Sequence, residues 1–400
     1  MNIIFLTLVE INSVEERGIY QDLLRKFRDE GHNVTIVTPV ERRKGISTNF
    51  KKKDGVSILQ VKTFNIQKTN IVEKGIGTLA IEYQYLSAIK KNLNNIKFDL
   101  VLYSTPPITF GKVIEFIKKR DHAYSYLLLK DIFPQNAIDM KMLKEGGFIH
   151  KQFVKKEQKL YQISDTIGCM SPANVAFVLK HNPEINSQKV EVNPNTIEPV
   201  SFNYPEGEKS SIRTKYNVPI DKKVLVYGGN LGKPQGLDFL LETIKETKNE
   251  NAFFLIVGDG TEFSRIKYWF DHNQPKNAAL LLRLPKEDYD KLLVSCDIGL
   301  IFLDKDFLIP NFPSRLLSYL EMNIPVLAAT DSNTDIGDVI EANSCGLKVL
   351  AGDQEDMQAK INLLLDADLV AMGDNAKQLL LSSYTVDKSY NLIMNKIQHV

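Results

Sequence analysis

Short apolar runs alternate with amphipathic stretches along most of the chain. The apolar run 3–9 is followed by a segment at 20–30 whose apolar residues recur at helical spacing, and then by a second apolar run at 34–39. This order predicts a strand, a helix and a second, parallel strand. The same alternation returns at 223–258. The pattern therefore predicts an α/β protein with two parallel sheets.

The segment 298–329 shows this repeating unit most clearly. An apolar strand at 298–303 runs into a proline-rich loop, and a second strand follows at 325–329. Between them, Ser314 stands at the predicted N-cap of a helix that Arg315 opens. Because helix N-termini after parallel strands attract anions, we expect a phosphate group near Ser314 and Arg315.

Three further strands of the second half end in turn-forming loops, at 228–236, 258–260 and 283–286. The carboxyl ends of parallel strands share one sheet edge, so all four loops are expected to converge on one crevice. The glycines of the first loop let the backbone approach an anion, and Lys233 adds positive charge. No Gly-Lys-Ser/Thr follows, which argues against a P-loop.

The first half places a basic and an acidic residue at a strand end. Lys130 and Asp131 follow a predicted buried strand at 126–129. They either form a local ion pair, or bind a substrate phosphate and activate a hydroxyl. Gly18, the lone glycine of the loop after the first strand, either admits a ligand phosphate or only starts a helix. No G-x-G-x-x-G follows that strand, which disfavours a dinucleotide site.

Charge is divided unequally between the two halves. The first 200 residues hold 29 Lys and Arg against 21 Asp and Glu, whereas the last 200 hold 21 against 28. Basic clusters at 41–45 and 51–55 are expected in a loop that is either solvated or faces a membrane. The segment 141–163 is predicted to be a helix that either covers the sheet or lies on a membrane interface. Since no stretch approaches the ~20 apolar residues of a membrane span, any such contact is expected to be peripheral.

The length of 400 residues indicates two domains. We place the first at 1–197 and the second at 198–384, with 385–400 as a helix that crosses back to the first. Three widely spaced cysteines match no metal or redox motif, and the N-terminus lacks a signal-peptide pattern, so a cytoplasmic protein is expected. The net charge of +1 and the lack of a binding module disfavour nucleic acid as a partner.

Four motifs of the second half follow one another in chain order: GGNLGKPQGLDFLLE, LIVGDGTE, LPKEDYDKLL and PSRLLSYLEMNIPVLA. Together they resemble the family 4 glycosyltransferases. The segments YSTPPITF, LLLKDIFPQNAIDM and PNFPSRLLSYLE resemble bacterial capsule and O-antigen enzymes more narrowly, especially N-acetyl-L-fucosaminyltransferases. The resemblance implies the GT-B fold, in which two Rossmann-like domains with parallel sheets face a central cleft.

The resemblance also implies a reaction. A sugar, expected to be N-acetyl-L-fucosamine or a related N-acetylated deoxyhexose, would pass with retention from a UDP-sugar to a polyprenyl-diphosphate-linked sugar. No cofactor and no metal are implied, although the triplet Asp304-Lys305-Asp306 imitates a metal-binding Asp-x-Asp. The protein would work peripherally at the inner face of the cell membrane, where its basic first half suits an anionic surface.

The resemblance gives the donor a position in the second domain. Its uridine would lie along the turn Arg283–Leu284 and near Gly258, and its diphosphate would meet Lys233, Ser314 and Arg315.

The chain departs from the family pattern around the donor. Pro310 and Ser318 stand where the family has two glutamates, so Glu321, one helical turn on, is expected to reach the ribose hydroxyls. Asn230, also assigned to the donor, stands where the family often has arginine, and Gln235 occupies the usual lysine position.

Lys130 and Asp131 stand where many family members have histidine. We expect Asp131 to steer or deprotonate the acceptor hydroxyl. Two alternatives stay open on the sequence alone: a UDP-sugar 2-epimerase of the same fold, and a non-catalytic scaffold that binds a membrane partner.

Overall fold

The computed structural model describes residues 1–66, 71–201 and 206–397. The chain divides into two compact units. Unit 1 contains Met1–Glu198 and the C-terminal residues from Thr385 onward, and unit 2 contains Pro199–Tyr384. The division after Glu198 falls one residue beyond the boundary that the sequence suggests.

Unit 1 is built on an eight-stranded sheet. Its strands are β1 (Asn2–Leu6), β2 (Asn33–Glu41), β3 (Asn49–Lys53), β4 (Val56–Thr63), β5 (Leu100–Ser104), β6 (Tyr124–Leu129), β7 (Thr166–Cys169) and β8 (Val190–Val192). They lie in the order β3-β4-β2-β1-β5-β6-β7-β8, and every neighbouring pair is parallel except β3 and β4. The central strands are buried on both faces, as their continuous apolar runs predict.

The basic segment at 41–55 forms a hairpin rather than the predicted loop. β2 continues to Glu41, a 3-10 turn covers Arg42–Lys44, and β3 pairs with β4. Asp54 and Gly55, which join β3 and β4, have φ angles of 52° and 75°. Two such residues are what a type I′ hairpin turn requires. The hairpin was missed because three consecutive lysines show no alternation, although lysines commonly protect edge strands.

The described part of unit 1 contains seven α-helices: α1 (Ile19–Asp29), α2 (Ile71–Asn92), α3 (Gly111–Asp121), α4 (Gln135–Asp139), α5 (Phe148–Ile163), α6 (Pro172–His181) and the C-terminal α15 (Val386–Ile397). The helix α15 packs on α1, with the rings of Tyr390 and Phe27 5.0 Å apart. The Ser389 hydroxyl also donates to Asn193 Oδ1 at 2.7 Å. These contacts join the C-terminal helix to unit 1.

Unit 2 has a six-stranded sheet formed by β9 (Lys223–Asn230), β10 (Ala252–Asp259), β11 (Ala278–Leu282), β12 (Ile298–Phe302), β13 (Val326–Thr330) and β14 (Gly346–Leu350). All neighbouring strands are parallel, in the order β11-β10-β9-β12-β13-β14. Numbered within the unit, this is the Rossmann order 3-2-1-4-5-6. The order reverses between β9 and β12, where such sheets bind ligands.

The helices in the described part of unit 2 are α7 (Glu206–Lys215), α8 (Leu237–Glu246), α9 (Phe263–Asn273), α10 (Lys286–Val294), α11 (Arg315–Glu321), α12 (Ile336–Ala342), α13 (Gln354–Asp366) and α14 (Leu369–Ser383). The apolar faces of α8, α9 and α13 pack with the sheet in a core that includes Tyr227, Phe254 and Phe302. Within the described residues of both units, no helix is long and apolar enough to cross a membrane.

Candidate functional site

A cavity of about 630 Å³ lies at the carboxyl edge of the unit 2 sheet. It opens beside the point at which the strand order reverses, where a Rossmann sheet is expected to hold its ligand. The residues predicted for the donor that line it are Asn230, Gly258, Arg283, Leu284, Ser314 and Arg315. The convergence of the four strand-end loops, predicted from their positions, is therefore observed within unit 2.

Arg315 is one of the cationic residues that line this cavity. Its Nη2 donates to Gln235 Oε1, and its guanidinium carbon lies 4.3 Å from the centre of the Tyr227 ring. Its Nη1 is buried and has no hydrogen-bond partner in the described structure. A buried unpaired donor is costly, and more so on a charged group, so this nitrogen favours an oxygen-bearing anion in the cavity.

Glycine residues let the backbone of β9 reach the guanidinium closely. Gly229 has a φ of +121°, which other residues rarely adopt, and a Cβ there would lie 3.9 Å from the Arg315 guanidinium. At Gly228 a Cβ would clash with the Tyr289 hydroxyl. The glycine-rich turn therefore shapes the wall of the cavity.

A buried tyrosine fixes the helix that carries Arg315. The Tyr319 hydroxyl lies 3.1 Å from the Val226 carbonyl oxygen and 3.0 Å from the Leu300 carbonyl oxygen, on β9 and β12 respectively. It also accepts a hydrogen bond from Gly228 N at 3.3 Å. Because Arg315 and Tyr319 are four residues apart, they share one face of α11, and the tyrosine holds the guanidinium over the sheet edge.

Gln235 positions the other side of the guanidinium. Besides accepting from Arg315, its Oε1 lies 3.3 Å from the Tyr227 hydroxyl, which also donates to the Asn230 carbonyl at 3.0 Å. In the sequence, Gln235 stands out only as a departure from the pattern that the resemblance implies. Tyr289 and Lys286 also line the cavity; Lys286 was predicted only as the end of the loop 283–286, and Tyr289 was not predicted. Their position at the start of α10, directly after the loop at Arg283, was the signal available.

Ser314 occupies the N-cap position of α11, as predicted, but its side chain makes no capping hydrogen bond. The helix has seven residues. The Ser314 side chain is exposed at the cavity wall.

Three residues assigned to the donor do not line the cavity: Lys233 and Glu321 in unit 2, and Gly18 in unit 1. Lys233 is exposed in the 3-10 turn Lys233–Gln235. Glu321 is buried, and its Oε1 accepts a hydrogen bond from Val200 N at 2.9 Å. Glu321 points away because six residues of α-helix rotate it far from the face of Arg315. None of the three residues is therefore assigned to the cavity.

Gly18 lies in unit 1 and precedes α1 with an extended backbone, φ 170°. Its N–H points to Asp22 Oδ1 at 3.3 Å. The arrangement agrees with the simpler of the two interpretations, a glycine at a helix entrance.

Lys130 and Asp131 follow β6 at the carboxyl edge of the unit 1 sheet. The Thr105 hydroxyl accepts from both of their backbone N–H groups, at 3.1 and 3.2 Å. The Lys130 ammonium donates to the Asn193 carbonyl at 3.2 Å, and Asp131 Oδ2 accepts from Asn136 at 2.7 Å. In the described structure the two side chains thus have separate partners, and the simple ion pair is not formed.

Burial moves both pKa values toward neutrality. It lowers the pKa of Lys130 to about 7 and raises the pKa of Asp131 to about 6. The hydrogen bond from Asn136 opposes the increase at Asp131. A carboxylate with a pKa near the working pH is a suitable general base, and perturbed groups of this kind are typical of functional sites.

The acidic triplet at 304–306 forms a hydrogen bond within its own loop. Asp304 Oδ1 accepts from the backbone N–H of Asp306 at 3.0 Å. Across the residues that the structure describes, no group of three or more histidine, cysteine or acidic side chains is arranged to hold a metal ion.

Residues 208–379 match the family of glycosyl transferases group 1. The chain is similar to the probable glycosyltransferase WbjE of Pseudomonas aeruginosa, with 22% identity over 320 residues, 80% of this chain and 78% of that protein. It is also similar to the putative colanic acid biosynthesis glycosyl transferase WcaI of Escherichia coli (strain K12), with 25% identity over 152 residues, 37% of each. Its fold is similar to that of Anabaena HepE in complex with UDP and glucose, with a TM-score of 0.73, 13% identity and complete coverage of both chains.

Proposed function

The chain is a glycosyltransferase of the GT-B fold that carries a group 1 domain, and on this premise we propose that it transfers a sugar from a UDP-sugar to a polyprenyl-diphosphate-linked sugar. The proposed product is a cell-surface polysaccharide, since a relative is named for colanic acid biosynthesis. The family match favours transfer over the epimerase and scaffold alternatives.

One observation carries the donor side of this proposal, the unpaired Nη1 of Arg315 at the cavity of unit 2. A nucleoside diphosphate supplies the anionic oxygens that this donor lacks. HepE, whose fold is similar, forms complexes with UDP and with UDP-glucose, which supports a UDP-sugar as donor here. We assign the uridine to the wall at Arg283 and Leu284 and the diphosphate to Arg315 and Ser314.

The proposed reaction breaks the bond between the anomeric carbon and the β-phosphate oxygen of UDP. The acceptor hydroxyl oxygen forms the new bond to the same carbon, with retention, and UDP leaves with the bonding electron pair. Negative charge grows on the diphosphate in the transition state, so a fixed guanidinium stabilises it more than the ground state. No metal is required for this stabilisation.

Unit 1 is assigned to the acceptor. Asp131 is proposed to steer the acceptor hydroxyl or to take its proton, because its raised pKa makes the carboxylate a stronger base than an exposed aspartate. Lys130, next to it, is proposed to contact an acceptor phosphate while it is protonated. The transferred sugar is proposed to be N-acetyl-L-fucosamine or a related N-acetylated deoxyhexose, on the resemblance alone.

A transfer assay tests the proposed function. The protein is incubated with a panel of UDP-sugars and membrane-extracted lipid-linked acceptors, and the products are identified by mass spectrometry. A sugar added to the lipid-linked acceptor, with release of UDP, is the expected result. Epimerised UDP-sugar in the absence of acceptor, without any transfer, would contradict the proposal.

A further inference from the structure

The segment before and at the start of α5 presents large apolar side chains to solvent. In residues 141–152, here called the α5 tip, Met142, Phe148 and Ile149 are 61%, 78% and 57% exposed. Phe148 is the most exposed large apolar side chain in the described part of the chain. Apolar groups gathered in this way usually mark an interaction surface.

Basic residues surround these apolar groups. The α5 tip contains three lysines and a single acidic residue, Glu145, and Lys155 and Lys156 follow it. Lys156 lies 3.9 Å from Glu82, whereas Lys144 and Lys151 form no ion pair within the described structure. The α5 tip therefore combines apolar side chains with a cationic rim, which suits an anionic surface of low polarity.

The two halves of α5 have different environments. Glu157, Leu160 and Tyr161 are buried against unit 1, while Phe148 and Ile149 project from the first turn. The buried second half agrees with the interpretation of this segment as a covering helix. In the first turn, Phe148 and Ile149 stay exposed to solvent.

The α5 tip is held in a defined position. The backbone N–H groups of Met142 and Leu143 donate to the Ala137 carbonyl at 2.8 and 3.1 Å. Gly146 N donates to His150 Nδ1 at 3.0 Å. Because these bonds order the segment, Met142, Phe148 and Ile149 are exposed in the folded unit itself.

The α5 tip also lies at a functional edge of unit 1. In a parallel sheet, the helix that follows a strand begins at the carboxyl edge, so the start of α5 lies at the same edge as Asp131 after β6. The rings of Phe133 and Phe153, 4.9 Å apart, connect the loop after Asp131 to α5.

We propose that the α5 tip inserts Met142, Phe148 and Ile149 into the surface of an anionic phospholipid bilayer while its lysines contact the headgroups. A second copy of the chain is disfavoured as the occupant, because two such tips would bring two lysine-rich rims together. The proposed surface rests on the exposed apolar residues and the lysines of the α5 tip. Only its use, to bring the polyprenyl-linked acceptor to Asp131, rests on the proposed function.

Vesicle co-sedimentation of the full chain tests this proposal. Phosphatidylcholine vesicles are compared with vesicles that also contain phosphatidylglycerol, at low and at high salt. We expect binding to the anionic vesicles that weakens with salt, and a 10- to 100-fold loss of affinity, on the order of magnitude expected for two apolar anchors, in Phe148→Ser/Ile149→Ser.

A matched control is available in unit 2. Val370 and Leu363 are 76% and 61% exposed, and Val370→Ser/Leu363→Ser is expected to bind vesicles like the wild type. A second pair, Lys144→Glu/Lys151→Glu, is expected to lose the preference for anionic vesicles, with Lys180→Glu/Lys245→Glu as its control.

Three results would overturn the proposal: no vesicle binding by the wild type, equal binding by the wild type and Phe148→Ser/Ile149→Ser, or a change in oligomeric state caused by that variant without vesicles. Transfer to a detergent-solubilised acceptor is measured in parallel. If transfer occurs while vesicle binding is absent, the membrane surface is wrong and the proposed function stands. If vesicle binding occurs without transfer from any UDP-sugar, the membrane surface stands and the proposed function is wrong.

Discussion

At the scale of single residues, the cavity of unit 2 depends on how Arg315 is held. Tyr227 lies under its guanidinium and Gln235 accepts from Nη2, which leaves Nη1 for a ligand. Gln235 is neutral and lies in a 3-10 turn, and it orients an arginine that comes from the helix α11. The positive charge is supplied from α11, and Gln235 acts as its positioning residue.

We predict that Gln235→Leu reduces transfer about 10-fold, because the guanidinium loses the acceptor that orients it. Gln235→Glu should cost more, since a carboxylate would pair with Arg315 and repel the diphosphate. Steady-state kinetics of the two variants check this, with the exposed Gln274→Leu as a control. Equal activity of Gln235→Glu and the wild type would remove Gln235 from this role.

The activity should also report the protonation of Asp131. Burial raises its pKa to about 6, so lowering the pH through this value protonates the base and should slow transfer. Asp131→Asn should have low activity without this acidic limb. A pH profile of kcat for both proteins is the measurement. An unchanged acidic limb in an active Asp131→Asn enzyme would assign the titration to another group.

At the scale of elements, the contacts of Tyr319 fix the position of the short helix α11 against the sheet. Gly299 on β12 leaves room for the Tyr319 ring, because a Cβ there would lie 2.5 Å from it. The sequence predicts the helix and its apolar face. It does not reveal that a tyrosine on that face bonds to backbone groups of two strands, since those contacts join residues far apart in the chain.

Tyr319→Phe is predicted to lower the free energy of unfolding by about 1 to 2 kcal/mol, since the buried backbone groups lose a partner. Urea denaturation followed by circular dichroism measures the change. Tyr268→Phe, at a 62% exposed site on α9, serves as the control. If both variants are equally stable, the Tyr319 hydroxyl contributes nothing to placing α11.

Glu157 on α5 offers a test of how burial affects stability. Burial raises its pKa to about 7, and the hydroxyl of Tyr161, which donates to its Oε1 at 2.9 Å, opposes this increase. The ionised form is penalised in the folded state, so this group destabilises the protein increasingly between pH 4.5 and 7 and fully above pH 7.

Glu157→Gln keeps an acceptor for Tyr161 and removes the charge. It is therefore expected to raise the free energy of unfolding by about 2 kcal/mol at about pH 8, with little change at about pH 4.5. Chemical denaturation at the two pH values gives the answer. A destabilised variant at the higher pH would show that the carboxylate is compensated in the folded protein.

At the scale of the whole molecule, the sequence was most informative where periodicity and strand ends decide the structure. It predicted two parallel sheets and the loops that line the cavity, including Arg283 and Arg315, because strand carboxyl ends converge in any such sheet. It does not give the direction of single side chains. Glu321 lies on α11 but on a different face from Arg315, and Lys233 belongs to the expected loop but is exposed.

The two units also divide the proposed chemistry in the way that the charge pattern suggests. The basic first half supplies the lysine-rich α5 tip and the Lys130–Asp131 pair, while the second half supplies the cavity that holds Arg315. Donor and acceptor recognition are thus assigned to separate cores. A change at the α5 tip should therefore leave nucleotide binding by unit 2 unaltered.

The central claim is that the unit 2 cavity binds the UDP part of the donor through Arg315, and isothermal titration with UDP tests it most directly. We predict saturable binding to the wild type, binding weaker by about 10- to 100-fold in Arg315→Ala, as expected for loss of a charged hydrogen bond, and unchanged binding in Arg265→Ala, whose arginine lies outside the cavity. Equal affinities of Arg315→Ala and the wild type for UDP, or no binding by either, would contradict the claim.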